Sequence, residues 1–72
     1  MKTFAEFRYM WNGAMDKSRG RRTIVFVNGH TLSVDLYSID TFNDVSFYSQ
    51  NDESGHILKL GALALKDISR VD

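Results

Sequence analysis

The sequence contains no cysteine and no proline. Without cysteine there is no disulfide framework and no thiolate metal site. His30 and His56 are the only histidines, too few for a structural zinc site by themselves. Net charge is missing as well, because nine Lys and Arg balance nine Asp and Glu. The molecule as a whole therefore exerts no electrostatic pull on nucleic acid. No apolar run is long enough to span a bilayer, and the N-terminal residues lack the apolar core of a signal peptide. A soluble, intracellular, cytoplasmic protein is expected. Seventy-two residues make one domain, near the lower limit for folding alone. With disulfides and thiolate metal sites excluded, oligomerisation is the expected source of further stability.

The balanced total conceals an uneven distribution. Lys17, Arg19, Arg21 and Arg22 fall close together, while Asp35, Asp40, Asp44, Asp52 and Glu53 crowd the middle of the chain. Thr3-Phe4-Ala5-Glu6 fits a capping box. Phe4, Phe7 and Trp11 then recur at helical spacing, and Gly13 stands where a helix would stop. The spacing predicts a helix over 4–11, too short to be stable unless its aromatic stripe docks on something. Residues 12–21 lack periodicity and read as a basic linker.

From Arg22 the pattern changes to strands. Arg22 to Val27 is rich in β-branched and aromatic residues, and Asn28-Gly29 predicts a hairpin turn of type I′. In the second strand Leu32, Val34 and Leu36 point one way and Thr31, Ser33, Asp35 and Tyr37 the other, with the parity breaking at Ile39. A bend or bulge near Ser38 is expected. Asp40 to Asn43 form a loop, Val45, Phe47 and Ser49 alternate in a third strand, and Asn51 to Gly55 form a turn. His56 to Ala62 make a fourth strand with Gly61 allowing close backbone approach. Leu63, Leu65, Ile68 and Val71 supply a fifth, with a break around Lys66-Asp67. The expected fold class is mainly β: a short N-terminal helix and a strongly bent five-stranded antiparallel sheet over 22–71, curled into a small barrel.

Val27-Asn28-Gly29-His30-Thr31-Leu32, followed by Ser38-Ile39-Asp40-Thr41-Phe42, resembles the first motif of the Sm-like family in its bacterial Hfq-type branch. Lys59-Leu60-Gly61-Ala62-Leu63-Ala64-Leu65 looks like a divergent second motif. The resemblance covers roughly residues 21–71. It implies an SH3-like barrel whose fourth and fifth strands pair edge to edge with neighbouring copies, closing a homo-oligomeric ring. It also implies a single-stranded RNA ligand, with Phe42 stacking on a base and Asp40, Lys59 and Gly61 around it. Lys17, Arg19, Arg21 and Arg22 match the family's basic rim and would hold phosphates.

The sequence departs from the family pattern at several positions. Val34 stands where a mid-strand glycine is usual, and Asp44 where many relatives carry a base-binding Asn. Leu60-Gly61 replaces the family's Lys-His or Arg-Gly pair, leaving Lys59 and Gly61 as partial substitutes. Val25 replaces an adenine-stacking aromatic. These changes keep a second expectation open, a ring of bacteriophage or mobile-element type that acts as a structural or protein-binding adaptor. A third is a monomeric SH3-like barrel that binds peptides through Trp11, Tyr37 and Tyr48.

No catalytic arrangement is evident. There is no Gly-x-Ser-x-Gly elbow, P-loop or dinucleotide fingerprint. His30 and His56 are expected to be exposed. Asp35, Asp40 and Asp44 offer a conceivable divalent-cation cluster, but capping of the loop backbone by Asp40 is the expected role. No enzyme activity, cofactor, metal or small-molecule substrate is expected.

Overall fold

Thr3 opens the helix as its spacing from Glu6 predicts. Its backbone is extended and its Oγ1 accepts the Glu6 N–H at 3.1 Å. The computed structural model describes residues 1–14, 21–40 and 42–72, and in it helix α1 spans Phe4–Gly13. It runs past the expected end at 11 because its last carbonyls find donors without a left-handed glycine. Ala14 N donates to Met10 O at 3.1 Å and Trp11 O at 3.2 Å, and Arg22 Nε donates to Trp11 O at 2.9 Å. The start of the predicted linker is therefore helical, and residues 15–20 of it lie outside the described residues.

Six strands follow among the described residues: β1 (Arg22–Phe26), β2 (Thr31–Val34), β3 (Leu36–Ile39), β4 (Asp44–Gln50), β5 (Ile57–Ala64) and β6 (Ile68–Val71). They form two antiparallel three-stranded sheets, in the orders β2-β1-β6 and β3-β4-β5. Six replace the expected five because the second predicted strand divides at Asp35, ahead of the bend expected near Ser38. Val34 ends the β1 ladder opposite Arg22, whereas Asp35 N already donates to Tyr48 O of β4 at 2.9 Å. Aspartate fits strand interiors poorly. Here its carboxylate holds the corner, accepting Gln50 N–H at 2.7 Å and Arg21 Nε–H at 3.0 Å. Inward-facing positions change parity at this point. Val34 is buried before it and Tyr37 packs on the core after it, while Leu36 is 37 % exposed.

The β1–β2 connection also differs from expectation. Gly29 alone of Val27, Asn28 and Gly29 has positive φ, at +90°, so the turn is not type I′. Phe26 N donates to His30 O at 2.8 Å and Gly29 N to Phe26 O at 2.9 Å. Asn28 Oδ1 accepts the His30 N–H at 3.0 Å. This is a three-residue loop ending on a left-handed glycine.

The expected break at Lys66-Asp67 is present as a 3₁₀ turn, Leu65–Asp67, between β5 and β6. Within β5, Phe47 pairs with Gly61 and Tyr48 with Lys59, leaving Leu60 as the extra residue of a bulge. A Cβ at Gly61 would meet nothing within 4 Å, so the expected close backbone approach does not occur within one chain.

The helix and both sheets contribute to one core, with Phe7, Ile24, Val34, Val45, Phe47 and Ile68 fully buried. Tyr37 meets Phe7 and Trp11 nearly edge-on, at centroid separations of 4.8 and 4.6 Å. Trp11 is 6 % exposed. The aromatic stripe of the helix is thus packing, and Trp11 and Tyr37 are not surface aromatics open to a peptide. No helix among the described residues is long and apolar enough to cross a membrane.

Candidate functional site

The loop between β3 and β4 is short and tied down. Asp40 N donates to Asp44 O at 3.1 Å, closing it at the base. Asp40 Oδ1 accepts the Phe42 N–H at 2.7 Å, the backbone-capping role expected for this aspartate. Asn43 adopts the left-handed conformation, φ +63°, which asparagine tolerates better than most residues. Its carbonyl accepts the Leu65 N–H at 2.9 Å, fastening the loop to the 3₁₀ turn. With its backbone held on both sides, Phe42 projects outward and is 82 % exposed.

Beside that ring lies an open hollow of about 480 Å³, walled by Lys2, Asn43, Ala64, Leu65 and Lys66. Met1 lies in the same wall, its nitrogen donating to Leu65 O at 3.2 Å. The arrangement combines an exposed aromatic ring with two lysines lining the same hollow. That set of groups can stack a planar ligand and hold an anion next to it.

No protein-family model, curated protein or solved structure matches the chain significantly.

The other residues singled out from the sequence do not all gather here. Asp40 supports the loop and stands next to Phe42. Gly61 and Lys59 pair with Phe47 and Tyr48, three and four residues along β4 from Asp44. At about 3.3 Å per residue they lie about 10 and 13 Å from the loop end. The lysines that share a hollow with Phe42 are Lys2 and Lys66, the latter from the turn one strand-end later. The only sequence signal of Lys66 is the broken periodicity at Lys66-Asp67, and Lys2 carries none.

The basic cluster is divided. Lys17 and Arg19 lie outside the described residues. Arg21 and Arg22 are neighbours with opposite fates. Arg22 is 4 % exposed, donates to the end of the helix, and stacks 4.2 Å from the Trp11 ring centroid. Burial pulls its pKa below the ordinary arginine value, with Tyr37 acting weakly the other way. It is a core-fastening residue, and the phosphate-binding role expected of it is withdrawn. Arg21 is exposed but pairs with Asp35 at 3.0 Å. The Arg21 hydrogen bond holds the Asp35 carboxyl below the usual carboxylate range; burial opposes this, and the Gln50 N–H reinforces it.

Arg21 also borders a second hollow, of about 610 Å³, with Gln50, Asp52, Glu53 and His56. That site sits at the far end of β4 from Phe42, about 20 Å away along the strand. It carries both charge signs, and no Phe, Tyr or Trp lines it. Histidines 30 and 56 are both exposed and stand on different turns. Among the described residues no group of three or more His, Cys, Asp or Glu side chains is placed to hold a metal ion.

Proposed function

We propose that this chain is an Sm-like subunit that assembles with copies of itself into a closed ring and binds single-stranded RNA through Phe42. The observation that carries the reading is the Phe42 ring, 82 % exposed on a loop pinned at Asp40 and Asn43 beside Lys2 and Lys66. A rigid platform has little conformational freedom left to lose on binding. Stacking one base on such a ring contributes about 1–3 kcal/mol. Repetition around a ring multiplies the effect through avidity.

The assembly half of the reading draws on the sheet edges. Strands β6 and β5 each end one sheet, with β2 and β3 at the other ends, and only the 3₁₀ turn separates β5 from β6 in the chain. Along β5, Ile57 is 56 %, Leu58 65 % and Leu60 37 % exposed, with Lys59 the only charged residue in the strand. An unpaired, apolar edge of this length is an aggregation hazard unless something covers it. Pairing β5 of one copy with β6 of the next covers both edges, and a ring closes the series without leaving a free end. The two sheets, joined at the Asp35 corner, then form the small bent barrel that the family resemblance implies.

Zero net charge and the apolar row on β5 favour a second reading, the same ring acting as a structural or protein-binding adaptor with little RNA affinity. Native mass spectrometry at low salt, with short U-rich and A-rich RNAs, separates the two. A closed ring carrying RNA, lost in Phe42→Ala, supports the first. A ring that ignores both RNAs supports the second, and a monomer removes both.

A further inference from the structure

Tyr48 occupies the outer face of the β3-β4-β5 sheet. Val45 and Phe47 are buried in the core, so Ser46 and Tyr48 point away from it. Yet Ser46 is only 7 % exposed, so something lies over it. The Tyr48 hydroxyl is 3.2 Å from Ser38 Oγ, and Ser38 is the cross-strand partner of Ser46, not of Tyr48. To reach that diagonal neighbour, about 7–8 Å away, the phenol must lie along the sheet. The ring is thus directed back towards Ser46, and Tyr48 stays partly exposed.

Lys59 is the direct cross-strand partner of Tyr48 on the opposite side and is exposed. Leu36 and Ala62 complete the surround, opposite Tyr48 and Ser46. Of the cross-strand neighbours Leu36, Ser38, Lys59 and Ala62, only Lys59 is charged, so the charge beside the ring is positive. The hydrogen bond to Ser38 first, then Ser46 and the Lys59 charge, lower the phenol's pKa, against burial that raises it.

We propose that Tyr48 and Lys59 form a second nucleic-acid contact, in which a base lies on the outward face of the Tyr48 ring and Lys59 holds an adjoining phosphate. The proposal rests on the RNA reading above and extends it along the sheet. Tyr48 is four residues along β4 from Asp44, about 13 Å from the Phe42 loop. A single strand of several nucleotides covers that span, within the range of about 4–16 nucleotides that an OB fold takes per site. A flat ring on an open sheet face with one cation beside it suits a base followed by a phosphate better than it suits a protein side chain seeking a pocket. It also gives Lys59 a role that its distance from Phe42 denies it there.

The test is fluorescence anisotropy of the whole protein with labelled 15-nucleotide oligouridylate and oligoadenylate, over a range of salt concentrations. Far-UV circular dichroism and native mass spectrometry accompany each variant. Tyr48→Ala is expected to weaken binding about tenfold, and Tyr48→Phe to bind like wild type because the ring face is kept. Lys59→Gln is expected to reduce the slope of log K against log salt by about 0.7. If Phe42→Ala loses binding while Tyr48→Ala and Lys59→Gln keep it, this proposal falls and the Phe42 site stands. If Tyr48→Phe loses as much as Tyr48→Ala, the hydroxyl network is structural and the stacking role is wrong. If the two variants change subunit number instead of affinity, the face is a contact between copies and the proposal is overturned. A wild-type protein that binds neither RNA removes this contact and the Phe42 reading together.

Discussion

Arg22 is bound to Trp11 twice over: its guanidinium carbon lies 4.2 Å from the indole ring centroid, and its Nε donates to the Trp11 carbonyl at 2.9 Å. One side chain from the first residue of β1 thus caps the end of α1 and covers the aromatic that the helix inserts into the core. A hydrogen bond to a charged group contributes about 1.5–3 kcal/mol, and a desolvated cation–π contact adds up to about 2 kcal/mol.

Arg22→Ala is therefore expected to destabilise the fold by about 2–4 kcal/mol. Arg22→Lys should recover only part, since an ammonium neither stacks flat nor keeps the Nε geometry. Urea unfolding followed by tryptophan fluorescence reads both. An alanine variant as stable as wild type would show that the helix docks without this clamp.

Asp35 makes stability depend on pH in one direction. Its pKa is depressed in the folded state, chiefly by the Arg21 hydrogen bond. A depressed carboxylate contributes stability above its unfolded pKa of about 3.9 and loses it as pH falls through the folded value. Wild-type stability should thus hold its Asp35 contribution at pH 5–7 and lose it below about pH 4. Asp35→Asn should be about 1 kcal/mol less stable at pH 6 and approach wild type near pH 3. Denaturation curves that stay parallel across that range would exclude the carboxylate as the corner's anchor.

The Phe42 loop offers a contrast between two adjacent residues. Phe42→Ala removes an exposed ring and should alter stability by less than about 0.5 kcal/mol. Asn43→Val forces a β-branched residue into the left-handed region and should cost about 1–2 kcal/mol. Asn43→Gly should be tolerated. Thermal unfolding of the three variants decides it; a Phe42→Ala protein that melts well below wild type would mean the ring is structural.

The β5 edge predicts assembly. Leu58→Lys and Leu60→Lys place charges on the exposed apolar row, a device that blocks edge pairing. The double variant should lower the subunit number in native mass spectrometry while keeping its far-UV spectrum. An unchanged oligomer would show that copies meet through another surface.

Much of the architecture was legible because local rules and tertiary packing agree. Thr3 and Glu6 sit at capping-box spacing and Thr3 caps the helix. The period of Phe4, Phe7 and Trp11 marks its buried face, and Val45 and Phe47 alternate inward as read. Asp35 shows where reading the chain alone misleads. A strict period of two carried Leu36 inward and Tyr37 outward, but at Asp35 the chain leaves one sheet for the other and the parity inverts. The transfer depends on which strand offers the next carbonyl, here Tyr48 of β4, and no local pattern encodes that. Arg21 and Arg22 make the same point for the site, since a run of basic residues does not say which one a neighbouring helix end will claim.

By itself, the sequence determined a small mainly β fold, without disulfides, with a short amphipathic helix in front and an aromatic in an Asp-led loop. Those properties follow from composition, spacing and turn chemistry, which act over a few residues. The tertiary structure alone decided that the Phe42 ring stands beside Lys66 and Lys2, not Lys59, and that Arg22 belongs to the core. It also decided that β5 and β6 each stand at an end of a sheet. These outcomes depend on register and on contacts between residues distant in the chain, which are set only when the helix and the two sheets close on a common core.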